Sequence, residues 1–225
     1  MLKRLEGYFE RRKEAEAKKE AEFRISVSAA FDRGTRLFKL GEHEEALKDF
    51  LQCSQNLKLF GQKEQIEVLL SIGKCYFKLG RLEDAENFFG KALALDKNGE
   101  AALQVKGVAH LESCSLEVEQ KALKRQVDDA RSKMLWALTG EEKLRYGDRY
   151  SELKRKHDCN ERNLKKALQC FEKLAKLDVK NPEYLYHLGV CFFFTSHKRE
   201  AVDIFDAALR LRPGYPNRWR LALFE

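Results

Sequence analysis

The stretch Ile66 to Asn98, IEVLLSIGKCYFKLGRLEDAENFFGKALALDKN, decides the fold. Leu69, Ile72, Gly73 and Tyr76 fall on one face at helical spacing, Gly80 breaks the pattern, and Ala85, Phe89 and Ala92 rebuild it on a second helix. The small residue at the start of the second stripe lets two helices pack closely. A single hairpin of this kind cannot bury its own apolar face, so it implies neighbours on both sides.

Those neighbours can be read outward from this stretch. An alanine followed four residues later by phenylalanine recurs at Ala46/Phe50, Ala167/Phe171 and Ala201/Phe205. The first-helix pattern recurs at Gly34/Leu37 and at Leu185/Leu188/Gly189/Phe192, and Pro213 closes the last unit. On these residues the chain resembles the tetratricopeptide repeat family over about 26–98 and 160–213. The resemblance implies an all-α fold: a right-handed α-α superhelix of about five helical hairpins, with a long N-terminal helix and a C-terminal capping helix.

The expected organisation is a charged helix over 1–25, an array over 26–213 and a capping or truncated helix over 214–225. Repeats are expected at about 26–61, 65–98, 99–139, 140–180 and 181–213. In the first, LKDFLQCSQNLKLF keeps a helical pattern up to Gly61. Between Ala85 and Ala167 there is no second Ala/Phe pair, and the helices look long. The spacing is close to two repeats, which favours two divergent repeats at 99–139 and 140–180 over an inserted domain. Thr139 with Glu142 reads as a capping box, the DCNERN run at 158–163 as a break, and Asn181-Pro182 as a cap with proline at the first helical position. In the N-terminal helix, Leu2, Leu5 and Phe9 form a short apolar stripe, and in the last segment Trp219, Leu221, Leu223 and Phe224 are apolar enough to cover a hairpin.

Composition agrees with a helical array. All three prolines lie late, at 182, 213 and 216, leaving a long run free of helix breakers. The formal charge of +7 favours acidic partners, but acids are mixed with the bases throughout, so nucleic acid is not singled out. The six cysteines form no CxxC pair, and Cys75 and Cys191 stand two residues after Gly73 and Gly189, as small core residues would. A reducing cytoplasmic setting is expected, cytoskeletal or ciliary assemblies included, with no membrane insertion.

No phosphate-binding glycine loop, zinc-protease motif or nucleophile elbow occurs. His157-Asp158-Cys159 are adjacent residues pointing in different directions and make no site alone. An enzyme is not expected, nor a cofactor, a metal or a small-molecule substrate. What remains is binding. By the resemblance, a concave groove is lined by the first helix of each pair: Phe31, Thr35 and Phe38, then Leu70, Lys74 and Phe77, then Gln104 and Val108, then Tyr186, Val190 and Phe193. Phe38, Phe77 and Phe193 occupy one repeated position, as scaffold residues do, whereas Phe31, Lys74 and Tyr186 do not recur and are the candidates for selecting a ligand.

Such a groove suits an acidic or amphipathic protein segment, held by a scaffold or adaptor within a multi-subunit complex. A helical-repeat RNA binder is the alternative, resting on a pI near 9.0 and the basic runs at 121–125 and 154–156. A co-chaperone carboxylate clamp is disfavoured. Its Lys/Asn/Asn/Lys/Arg set falls on Phe31, Thr35, Ser71, Ala101 and Val105, none of which offers a cation or an amide.

Overall fold

Four glycines and four phenylalanines set the packing in the computed structural model, which describes residues 2–114 and 118–213. The described elements are α1 (Leu2–Leu40), α2 (His43–Ser54), a short 3-10 turn (Leu57–Leu59), α3 (Gln62–Lys78), α4 (Leu82–Leu95), α5 (Glu100–Ser113), α6 (Val118–Trp136), α7 (Gly140–Leu177), α8 (Pro182–Phe194) and α9 (Lys198–Leu211). No strand occurs among the described residues, so the fold class is all-α, as the periodicity implies. The helices fall into two compact units, one up to residue 102 and one from 103 on.

In the first unit α1 pairs with α2, and α3 with α4. Each pair rests on a phenylalanine ring lying against a helix backbone bared by glycine. A Cβ added at Gly73 would stand 2.4 Å from Phe89 Cε1, and one at Gly34 3.0 Å from Phe50 Cε1. Glycine is needed there for close approach. Ala46 and Ala85, one turn before each ring, are fully buried. Val27, Ala30, Cys53, Val68, Ile72 and Cys75 complete the core around Phe50. Burying one such ring contributes ~1.5–3 kcal/mol relative to leaving it exposed.

The turns between paired helices share one geometry. Gly41 (φ 87°) and Gly80 (φ 75°) take the left-handed conformation that ends α1 and α3. The Glu42 N–H donates to Leu37 O (3.0 Å) and the Gly41 N–H to Phe38 O (3.1 Å); Arg81 and Gly80 repeat the pattern onto Tyr76 and Phe77.

The second unit uses the same contact twice. Gly189 of α8 faces Phe205 of α9, and Gly107 of α5 faces Phe171 of α7; the added Cβ atoms would lie 2.7 and 2.8 Å from those rings. The partner of α5 is therefore the C-terminal part of α7. The buried Asn163 amide donates to Ser113 Oγ (3.1 Å), and Cys114 Sγ donates to Asn160 O (3.5 Å). Helix α6 packs along α7 instead. This differs from the two divergent repeats expected at 99–139 and 140–180. Gly and Phe are sixteen positions apart in three pairs and sixty-four apart here, with α6 and the first part of α7 lying between them.

Three boundaries also differ from expectation. Helix α1 runs unbroken through residue 25, because Ser26 Oγ donates to Phe23 O (2.8 Å) within the helix instead of capping a new one. Helix α7 runs unbroken through 158–163, because Asn163 is spent on Ser113 and leaves the backbone helical. Helix α2 stops at Ser54, short of Gly61; Ser54 and Asn56 side chains bond back to Leu51 O and Gln52 O and compete with the helix ladder. The caps fall where the sequence puts them. Thr139 and Glu142 bond reciprocally at 3.2 and 3.3 Å, and Asn181 Oδ1 accepts from the Glu183 N–H at 3.0 Å. The expected helix over 214–225, with Trp219, Leu221, Leu223 and Phe224, lies outside the described residues, as do the side chains of Leu2, Leu5 and Phe9.

Candidate functional site

In the first unit α1 and α3 line most of a cavity of about 590 Å³. Thr35, Phe38 and Lys39 reach it from α1 at i, i+3, i+4 spacing, and Lys63, Ile66, Glu67, Leu70 and Lys74 from α3 along the matching stripe. Phe38, Ile66 and Leu70 form an apolar floor. Lys39, Lys63 and Lys74 carry no ion pair among the described residues, and Glu67 is the one acid in the lining. Uncompensated cations around an apolar floor make the local potential of the cavity positive. The Thr35 hydroxyl is committed inward, donating to Phe31 O at 3.0 Å.

The cavity thus gathers four of the eight expected site residues: Thr35, Phe38, Leu70 and Lys74. Phe31 is outside its lining and packs on Phe50, ring centroids 5.4 Å apart. Phe77 also lies outside the lining, with Lys78 Nζ 5.4 Å above its ring. In the second unit Tyr186 packs against Phe205 at 5.8 Å. Phe193 opens instead onto a second cavity of about 460 Å³, between α7 and the α8–α9 turn. Lys39 and Lys63 line the cavity in addition to the expected site residues. Their signal was available, since Lys39 shares the α1 face with Thr35, and Lys63 shares the α3 face with Leu70 and Lys74.

Arg33 ties the first pair together: its Nε donates to Asp49 Oδ2 at 2.7 Å, and the second guanidinium nitrogen reaches the other carboxylate oxygen. That carboxylate raises the Arg33 pKa further. Burial pushes the thiols of Cys53 to about 11 and of Cys75 and Cys114 to about 12. They are neutral core groups, whereas Cys159 is exposed. His157 lies within α7 with Nδ1 3.7 Å from Asp158. Among the described residues no group of three or more His, Cys, Asp or Glu could hold a metal ion.

Two tetratricopeptide repeat families match, one over residues 27–98 and the other over 160–216, together more than half of the sequence. The chain belongs to the tetratricopeptide repeat family. The unmatched interval holds α5, with Gly107, then α6 and the first part of α7. Solved structures agree on the fold. The structure titled "MamA AMB-1 P212121" superposes with a TM-score of 0.53 at 18% identity, over 88% of this chain and 79% of that one. The structure titled "MamA AMB-1 C2221" gives 0.51 at 18% identity, over 88% and 85%. No curated protein matches the sequence. Tetratricopeptide repeats are protein-interaction modules, typically without catalysis, and in that general sense this repeat protein is an interaction scaffold. Among its described residues no helix is long and apolar enough to cross a membrane.

Proposed function

We propose that this repeat protein holds an acidic segment of a partner protein, anchored by apolar side chains, in the cavity between α1 and α3. The observation that carries the reading is the lining itself: Lys39, Lys63 and Lys74 stand unpaired around Phe38, Ile66 and Leu70, against one glutamate. Binding spends little on ordering the floor, since Leu70 is already packed in the first unit's core. A short segment held this way binds with micromolar affinity, about −8 kcal/mol. Neutral buried thiols fit a reducing cytoplasmic compartment.

The test is a methyl-resolved NMR titration of the full chain with a twelve-residue probe peptide built from Glu, Leu and Phe. Ile66 and Leu70 resonances move on addition of the peptide. Lys39→Glu with Lys74→Glu raises the peptide concentration needed by tenfold or more. If Ile66 and Leu70 do not respond, or the double variant responds as the native chain does, the proposal fails. The RNA alternative predicts that U12 RNA moves the same resonances, with an affinity that drops steeply with salt.

A further inference from the structure

The second cavity is not part of the repeated framework. Leu123 and Lys124 reach it from α6, and Asn160, Glu161, Leu164, Lys165 and Leu168 from α7. Phe193 and Phe194 come from the end of α8, Thr195 to His197 from the turn, and Lys198 from the start of α9. The excursion that parts Gly107 from Phe171 thus builds one wall.

Three features of this cavity point to one kind of occupant. The first is charge. Lys124, Lys165 and Lys198 have no ion pair among the described residues, and Glu161 is the one acid in the lining. The N-terminal end of the fourteen-residue α9 adds its positive dipole beside Lys198. The second is an apolar floor: Leu164 is buried, and Leu168, Phe193 and Phe194 are half-buried, the two rings meeting edge to face at 5.0 Å. The third is the turn. Gly41 and Gly80 hold the left-handed position in the first unit, but here Ser196 holds it at φ 65°. Serine is disfavoured in that conformation and glycine is not. A residue kept there against its backbone preference, with its side chain at a cavity, fits a contact to a ligand.

We propose that the cavity between α7 and the α8–α9 turn is a second docking site for an acidic protein segment with a large apolar anchor, filled independently of the α1–α3 cavity, with Ser196 offering its hydroxyl to the occupant. Its volume suits two or three side chains, within the ~300–1,000 Å³ range of small binding pockets, and not a folded domain. Single-stranded RNA fits less well. The Phe193 and Phe194 rings are turned on each other, and no arginine stands in the lining to stack on a base.

The same titration tests it at different reporters. On the full chain, the Glu/Leu/Phe probe peptide moves the methyl resonances of Leu164 and Leu168. Lys165→Glu with Lys198→Glu weakens that response at least tenfold and leaves Ile66 and Leu70 untouched, while Lys39→Glu with Lys74→Glu does the reverse. All four lysines are exposed, so the variants keep the native melting curve. Ser196→Gly raises the melting temperature and weakens the Leu164/Leu168 response severalfold. Silent Leu164 and Leu168 resonances, or a response to U12 RNA and none to the peptide, would overturn the second site whatever the first one does. An unchanged affinity in Ser196→Gly would overturn the part given to the hydroxyl.

Discussion

The helix pairs of the first unit and the α5–α7 pair of the second rest on one contact and differ in the chain that joins its halves. Gly73 and Phe89 are joined by a tight turn at Gly80; Gly107 and Phe171 are separated by most of two further helices. The ring meets the bared backbone in both cases, at 2.4 and 2.8 Å from the missing Cβ. What specifies a pair is therefore the complementary surface, not the turn. Polymer physics allows this: loop closure costs only ~0.6 kcal/mol per doubling, so a fourfold longer connection costs about 1.2 kcal/mol. The insertion places new surface beside the array at a cost smaller than the worth of one buried ring.

If the equivalence holds, Phe89→Ala and Phe171→Ala each destabilise by ~3–5 kcal/mol in urea unfolding. A loss below ~1 kcal/mol for Phe171 alone would break the comparison. Ala85 is fully buried where α4 meets its neighbours, so Ala85→Leu overpacks that pair and costs ~1–3 kcal/mol by thermal unfolding. An unchanged transition would mean that the first unit is looser than its contacts imply.

The interrupted pair also carries a titratable ring. His187 stacks on Phe171 at 4.9 Å, and burial holds its pKa below the ordinary 6.5. The unfolded chain then binds a proton that the native one resists, so this contribution to stability is present above pH 6.5 and is lost as the pH falls below it. Melting temperatures measured from pH 7.5 to 5 should decline, and His187→Phe should shallow the decline. An identical slope in the variant would show that another group titrates.

The smallest effect belongs to the far end of the excursion. Trp136 and Leu138 are 83% and 96% exposed, and Leu138 lies past the end of α6, in the connection to α7. Trp136→Ser should change stability by less than ~0.5 kcal/mol. A larger loss, read in the same urea titration, would mean that the tip is packed.

Much of this was legible in the sequence, and the limits have physical causes. The Ala/Phe signature at Ala85/Phe89 and Ala201/Phe205 fixes the second helices because only a small residue permits the close approach. The caps at Thr139 and Asn181 are local and could be read locally. The partner of α5 is not local. Gly107 and Phe171 each carry their half of the signature, but position 123, sixteen residues after Gly107, is leucine, and nothing in the intervening periodicity says where the missing ring lies. Spacing alone favours two divergent repeats. Asn163 reads as a helix breaker because its side-chain partner, Ser113, lies 50 residues earlier, and the Cys114 thiol that meets the Asn160 carbonyl lies 46 residues earlier. Of the candidate site, the groove positions Thr35, Phe38, Leu70 and Lys74 are what the family resemblance implies, on α1 and α3. The diversion of Phe193 to a different cavity depends on α6 and α7, and could not be read from its own repeat.

The most direct test is a double-mutant cycle on Gly107 and Phe171, followed by urea unfolding. Gly107→Ala alone should destabilise by ~1–3 kcal/mol, because its methyl meets the Phe171 ring. In the Phe171→Ala background the ring contact is gone and Cys170 Cβ, 3.2 Å away, is the close neighbour that remains, so the penalty should shrink, leaving a coupling above ~1 kcal/mol. Additive losses within ~0.5 kcal/mol would show that the two residues do not touch, and that the helix pair spanning the insertion does not exist.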